Sequence, residues 1–246
     1  MYVLVTILAS VFAVSLISFV GALFAGLKES TLKRVLMVFV GFSSGTLIGS
    51  AFLDLLPEAI TETNTLVAFS YVIAGIVVFF AMEKFLYWRH CHEGECQVHI
   101  FAYLNLIGDG IHNFIDGMII AATFLVSADL GFVTTLAVVF HEIPQELGDF
   151  AVQIYAGLSK RKALTYNFIS ALTAVAGAII TYFLAYAQNI ATLLVPFAAG
   201  GFIYIAATDL MPELHKKTRA GESVVQLLSI LLGIGLIAGL TMSLGA

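Results

Sequence analysis

Apolar residues in this chain come in long runs, broken at intervals by short polar stretches. Eight runs can be marked, at about 3–27, 34–60, 66–88, 100–127, 130–157, 163–187, 192–213 and 223–245. A bilayer-spanning helix takes about 20 mostly apolar residues, and only helices or closed barrels satisfy their backbone groups in lipid. None of the runs alternates strictly between apolar and polar positions, so each is expected to be a helix. The joints after the fourth and sixth runs are very short, which makes the helices on either side antiparallel hairpins. The expected fold is an all-α integral membrane protein of eight transmembrane helices, forming a single domain over 1–246. Within it lie spans one to three (about 3–88), a polar loop (about 89–99), spans four and five (about 100–157) and spans six to eight (about 163–245).

Composition supports that reading. Hydrophobic residues make up 60% and charged ones 11%, with a mean hydropathy of +1.01, too little polar surface for a soluble body. All eleven Lys and Arg fall at or near the loops after spans one, three, five and seven: Lys28, Lys33, Arg34; Lys84, Arg89; Lys160, Arg161, Lys162; Lys216, Lys217, Arg219. The positive-inside rule places those loops in the cytoplasm and both termini outside. The net charge of −5 comes largely from acids within or at the ends of apolar runs, and no basic, aromatic-interleaved patch offers a nucleic-acid surface. Cys91 and Cys96 are too few for a disulfide framework. The first run starts at Met1 without a basic leader, so it reads as a retained helix, and the plasma membrane is the default location.

A short motif recurs. Span two ends in Asp54-Leu-Leu-Pro57-Glu58 and span seven in Asp209-Leu-Met-Pro212-Glu213, on oppositely directed helices. Recurrence in opposite directions suggests inverted repeats, spans one to three against six to eight, with four and five as a central pair. The alternative is two independent helix ends with similar caps.

The polar groups that remain inside apolar runs carry the chemistry. They concentrate in Asp109-Gly-Ile-His112-Asn113-Phe-Ile-Asp116-Gly on span four and His141-Glu142-Ile-Pro-Gln145-Glu146-Leu-Gly-Asp149 on span five. A charge at the middle of a bilayer helix costs about 2.5–3.5 kcal/mol on insertion scales, so such groups face a wet cavity, pair, or bind an ion. His112 and Asp116 share a face at i, i+4, and His141 and Gln145 repeat that spacing. Imidazole nitrogen mixed with carboxylate oxygen suits a borderline divalent metal such as zinc. His112, Asp116 and His141, with Gln145 or water, would complete four ligands, while Asn113 and Glu142, one position round, would reach a second ion. Pro144 removes the hydrogen bond to the carbonyl of Phe140, frees that carbonyl beside His141 and kinks the helix. Gly110, Gly117 and Gly148 admit close backbone approach, and Gly41, Gly45 and Gly49 form a packing stripe on span two. Hydrogen bonding between helices is the competing explanation for any one His–Asp pair, but not readily for so many ligand types on two adjacent spans.

The two segments resemble the fourth- and fifth-helix signatures, HNFxDG and HEIPHELGD, of the ZIP (Zrt-, Irt-like protein) family of divalent metal transporters. The resemblance extends over the whole chain. It implies a three-plus-two-plus-three helix arrangement and carriage of zinc, or of iron, manganese or cadmium, into the cytoplasm. It also implies that His112, Asp116 and His141 are ligands of the primary site, and that Asn113 and Glu142 serve a neighbouring second site bridged by Asp116. This chain departs from the pattern at Gln145, where the family carries a histidine or an acid, and at Asn167, where some relatives carry an acid. The partners expected are the metal ion as substrate, membrane lipid and a homodimeric copy; no catalytic cofactor is expected.

Acids outside the two segments suggest a route. Asp54 and Glu58 at the outer end of span two, and Asp209 and Glu213 at the inner end of span seven, would concentrate cations at entrance and exit, with Asp149 between. Capping or pairing with loop lysines is the alternative. His90, Cys91, His92, Cys96 and His99 fall in or beside the loop after span three, where reduced cytoplasmic thiols and imidazoles could receive metal. No nucleotide-binding motif is present, so transport would run down the ion gradient by alternating access. The competing function is an intramembrane zinc hydrolase. His141-Glu142 begins like HExxH, in which two histidines hold zinc and the glutamate acts as base, but Gln145 stands in place of the second histidine.

Overall fold

The computed structural model describes residues 2–24, 29–88, 98–155, 157–188, 191–216 and 220–244; the side chains of 85–88, 98–105, Pro144, Asp209 and Glu213 are among those outside that description. Every element among the described residues is helical. The first run comprises α1 (Tyr2–Ser15), a 3₁₀ turn (Leu16–Phe19) and α2 (Val20–Phe24). The second comprises α3 (Glu29–Ser50), a π-helical turn (Ala51–Leu55) and α4 (Leu56–Glu62), and the third is α5 (Thr65–Trp88). The central pair is α6 (Val98–Val126) and α7 (Ala128–Tyr155). The sixth run is α8 (Lys160–Ala171) and α9 (Thr173–Gln188). The seventh is α10 (Ala191–Tyr204), a π-helical turn (Ile205–Leu210) and α11 (Met211–His215), and the last is α12 (Ala220–Leu244).

Among the described residues, six helical stretches are long and apolar enough to cross a membrane: Tyr2–Leu23, Met37–Glu62, Thr65–Lys84, Leu106–Val126, Lys160–Leu184 and Ala220–Ser243. Thr192–Thr208 is apolar but shorter, and α7, which carries the polar segment from His141 to Asp149, is not among the six. The protein is thus an all-helical, multi-pass membrane protein.

The recurring motif is matched in backbone shape. The π turn Ala51–Leu55 stands directly before Leu56-Pro57-Glu58, and the π turn Ile205–Leu210 directly before Met211-Pro212-Glu213. In each, the first residue of the next helix donates its N–H five residues back: Leu56 to Ala51, and Met211 to Ala206. A proline lacks an N–H for the regular ladder, and a widened turn ahead of it absorbs that irregularity.

Small residues set which helices touch. A Cβ on Gly117 of α6 would land on the Ala174 carbonyl of α9, so that pair meets backbone to backbone. The stripe of Gly41, Gly45 and Gly49 on α3 faces α12 in rising order, opposite Gln226–Ser229, Ile230 and Ile234–Ile237. Gly148 differs from expectation: nothing lies within 4 Å of a Cβ there, because it points out of the bundle. α5 packs on α10, α6 on α7, and α7 on α3.

Two tight turns join α6 to α7 and α7 to α8. Ser127 ends α6, and its Oγ accepts from Leu130 N at 3.1 Å, capping α7. At the other end of α7, Gly157 takes φ 87°, a left-handed conformation that glycine adopts without strain. Gly157 N donates to Ile154 O (3.0 Å) and Leu158 N to Gln153 O (3.1 Å), a Schellman closure. Ser159 then caps α8 two residues on, so α8 is folded directly beside the end of α7.

Candidate metal centre

α6 and α7 run antiparallel from the Ser127 turn, which brings the His112–Asp116 face of one against His141 and Glu142 of the other. One ligand atom from each of these four residues lies within 4.8 Å of all the others. His141 Nε2 is 3.0 Å from Asp116 Oδ2 and 3.3 Å from His112 Nε2. His112 Nε2 is 3.6 Å from Asp116 Oδ2, and Glu142 Oε1 is 3.5 Å from both imidazoles. Asp116, His141 and Glu142 are essentially fully buried, and His112 keeps 12% of its side-chain surface exposed.

The orientation of His141 is set from behind. Its Nδ1 lies 3.2 Å from the Ala137 carbonyl. A carbonyl only accepts, so Nδ1 carries a hydrogen and Nε2 is the nitrogen that faces the other three grouped residues. Aromatic rings close the sides. Phe79 of α5 stands edge-on to His112 at 6.4 Å between centroids, and Phe202 of α10 stands against His141 at 6.0 Å.

Pro144 leaves its mark on the backbone beside the site. The Phe140 carbonyl, which would bond to an N–H at position 144, instead accepts from Ser43 Oγ of α3 at 2.5 Å. Phe42 also packs edge-on against the Phe140 ring, 4.8 Å between centroids. α7 runs as one continuous helix through Pro144, and the carbonyl that the proline frees is taken up by α3.

The remaining sequence candidates fall in different places. Gln145 is not among the four grouped residues; its Nε2 donates to Asp109 Oδ1 at 3.2 Å. Asn113 turns the same way, donating to Asp109 Oδ1 at 2.9 Å and to the Asp109 carbonyl at 3.1 Å. Glu142, expected at the second ion, joins the primary group. Asn167 is buried, accepts from Gln153 and directs Nδ2 at the Glu146 carbonyl, 3.4 Å away. Asp54 lies in the π turn, 3% exposed, with Glu58 and Thr241 near its carboxyl; Glu58 is half-buried. The side chains of Asp209, Glu213 and His99, and the whole of His90, Cys91, His92 and Cys96, lie outside the described residues.

Sequence reasoning counted Asp109 and Glu146 among the buried acids but left them out of the ligand set. Asp109 stands four residues before Asn113, and Glu146 four after Glu142, so extending the helical spacing by one turn would have found both. Phe79, Phe202 and Ser43 carried no such signal, since each reaches the site from another helix. Between α6 and α8, an open and largely apolar furrow of about 660 Å³ is lined by Leu106, Ile111, Phe114 and Ile169 together with Tyr166 and Ser170.

The ZIP zinc transporter family model matches residues 1–95 and 88–241, nearly the whole chain. The chain belongs to this family. Among curated members, the zinc transporter zipt-7.1 of Caenorhabditis briggsae is 30% identical over 273 residues, covering 82% of this chain and 70% of the relative. The zinc transporter zipt-7.2 of Caenorhabditis elegans is 30% identical over 262 residues, covering 81% and 57%. The zinc transporter ZIP13 of Pongo abelii is 37% identical over 211 residues, covering 79% and 63%. The chain thus spans between about half and 70% of the length of these relatives. The relatives are named as zinc transporters, and where an HExxH motif would place its second imidazole this chain has Gln145, tied to Asp109.

Proposed function

We propose that this protein carries zinc across the membrane into the cytoplasm, with His112, Asp116, His141 and Glu142 as the ligands of the transport site. The observation that carries this reading is the convergence of two imidazole nitrogens and two carboxylate oxygens, buried midway along two facing helices, within 4.8 Å of one another. That set is chemically matched to zinc, which takes four N and O ligands. Of the four grouped residues His112 is the one that keeps some surface exposed, and the proposed entry of the ion is beside it.

The architecture proposed is eight crossings in a three-plus-two-plus-three arrangement with inverted repeats and both termini outside. Support comes from packing. α3 lies on α12 while α10 lies on α5, and α6 lies on α9 while α7 lies on α1, α2 and the 3₁₀ turn between them. Exchanging spans one to three with six to eight, and four with five, maps each contact onto the other. The α3–α12, α5–α10 and α6–α9 pairs run parallel, as helices of equal crossing parity must. Alternating access follows: the repeat bundles move against the central pair while the ion stays at the midplane. A plasma-membrane location is part of the proposal.

The test is zinc uptake into liposomes holding purified protein. Wild type exceeds empty vesicles, and His112→Ala and His141→Ala fall to the empty-vesicle rate. Equal uptake by the variants would remove these ligands from the route, and no uptake by wild type would remove the function.

A further inference from the structure

On the face of α6 that meets α8, two hydroxyls join the helices. Ser170 Oγ donates to the Leu106 carbonyl at 2.9 Å, and Thr173 Oγ1, at the start of α9, donates to the carbonyls of Gly110 (2.5 Å) and Ser170 (2.7 Å). These bonds pin the helices along the furrow of about 660 Å³, and they engage the hydroxyl hydrogens of Ser170 and Thr173 that line it. The walls are apolar and open: Ile107 is 55% exposed, Ile111 40% and Ile169 58%. Hydroxyls already bonded to backbone and walls of branched aliphatic carbon fit a hydrocarbon chain. The volume lies within the range of about 300–1,000 Å³ usual for a bound small molecule.

One end of the furrow is basic. Lys162 stands four residues before Tyr166, on the furrow side of α8, and Lys160, Arg161 and Lys162 are all exposed. In a helix such a side chain leans toward the N-terminus, with its stem on apolar surface and its charge outward. The start of α8 adds partial positive charge of its own. From Lys162 to Thr173 the rise is about 16 Å at 1.5 Å per residue, half of a hydrocarbon core of roughly 30 Å. A basic mouth above an apolar trough one leaflet deep is the outline of an anionic phospholipid. A second copy of this chain is a poorer match. A two-fold pair meeting at this face brings like patch to like patch, one basic cluster against the other.

We propose that the furrow holds one anionic phospholipid, with an acyl chain along Ile107, Ile111 and Ile169 and the phosphate at Lys162 and its basic neighbours. The lipid lies against Ile111 and Phe114, which flank His112 and Asn113 in sequence. That the site opens into the cytoplasmic leaflet rests on the proposed topology. That it selects an anionic lipid rests neither on that topology nor on the zinc reading.

The experiment is native mass spectrometry of the purified full-length protein, released from nanodiscs of equal parts dioleoylphosphatidylglycerol and dioleoylphosphatidylcholine. The expected result is one retained lipid per chain, predominantly the phosphatidylglycerol. Lys162→Gln lowers that preference about fivefold, the share of one cation near an anionic lipid, and exchanging Lys160 and Arg161 for Gln as well abolishes it. Ile169→Trp, which fills the furrow from its wall, removes the retained lipid of either kind. Leu231→Trp, at a similarly exposed apolar position on α12, does not. Lys162→Gln, on an exposed side chain, decides the matter even where Ile169→Trp fails to fold. The proposal is overturned if the wild type retains no lipid, if it retains the two lipids in proportion to their supply, or if Lys162→Gln holds phosphatidylglycerol as the wild type does. Cross-linking of Ile169→Cys chains above the wild-type level would place a second copy in the furrow and overturn it as well. Zinc uptake is no part of the readout, so a failure of the transport reading leaves this result untouched.

Discussion

Ser43 on α3 donates its hydroxyl to the Phe140 carbonyl on α7 at 2.5 Å, the carbonyl that Pro144 leaves without its helical partner. A side chain ninety-seven residues away in sequence thus completes the backbone next to the proposed metal ligands. The bond also ties α3, whose π turn carries Asp54, to the helix bearing His141 and Glu142.

The relationship makes a double-mutant cycle informative. Ser43→Ala is expected to cost about 0.5–2 kcal/mol, the range for interhelical hydrogen bonds in membranes. In a Pro144→Ala background, residue 144 regains its N–H and bonds Phe140 itself, so Ser43→Ala then costs much less. Thermal unfolding of the four proteins in detergent measures the coupling. Equal costs in both backgrounds would mean that the hydroxyl does not substitute for the missing donor.

Gln145 donates to Asp109 and stands apart from the four grouped ligands. Gln145→Ala is therefore expected to retain most zinc uptake, while Asp116→Ala and His141→Ala each lower it by roughly tenfold or more, the loss of a direct ligand exceeding that of a neighbour. Initial rates in proteoliposomes, normalised to inserted protein, separate the two outcomes.

Backbone contact between α6 and α9 gives a contrast between two glycines. A methyl group at Gly117 would collide with the Ala174 carbonyl, whereas one at Gly148 meets nothing within 4 Å. Gly117→Ala should destabilise by about 1–3 kcal/mol as the helices are forced apart. Gly148→Ala should be neutral or stabilise by up to about 1 kcal/mol through helix propensity. Melting temperatures in one detergent check the opposite signs.

Asp54 is buried in the π turn beside Glu58, a pair of acids placed to meet an incoming cation at the end of this span. Asp54→Asn keeps the shape and removes the charge. Uptake should fall most at low external zinc and recover as zinc is raised, a rise in KM with kcat largely kept. An unchanged KM would remove Asp54 from the entrance.

How much was legible beforehand depended on whether the information was local. Helices, their approximate ends, the membrane class and the polar segments follow from hydropathy and i, i+4 spacing, because in lipid each helix must satisfy its own backbone. The His112–Asp116 and His141–Glu142 pairs are local in the same way, as is the missing donor at Pro144. Tertiary structure alone decided that Glu142 joins the primary group, that Gln145 and Asn113 turn to Asp109, that Gly148 faces outward while Gly117 meets α9, and that Ser43, Phe79 and Phe202 complete the surroundings. The physical reason is shared. Helical spacing says which residues lie on one face, but the rotation of each helix about its axis is set by packing against neighbours, and in this chain those neighbours are distant in sequence.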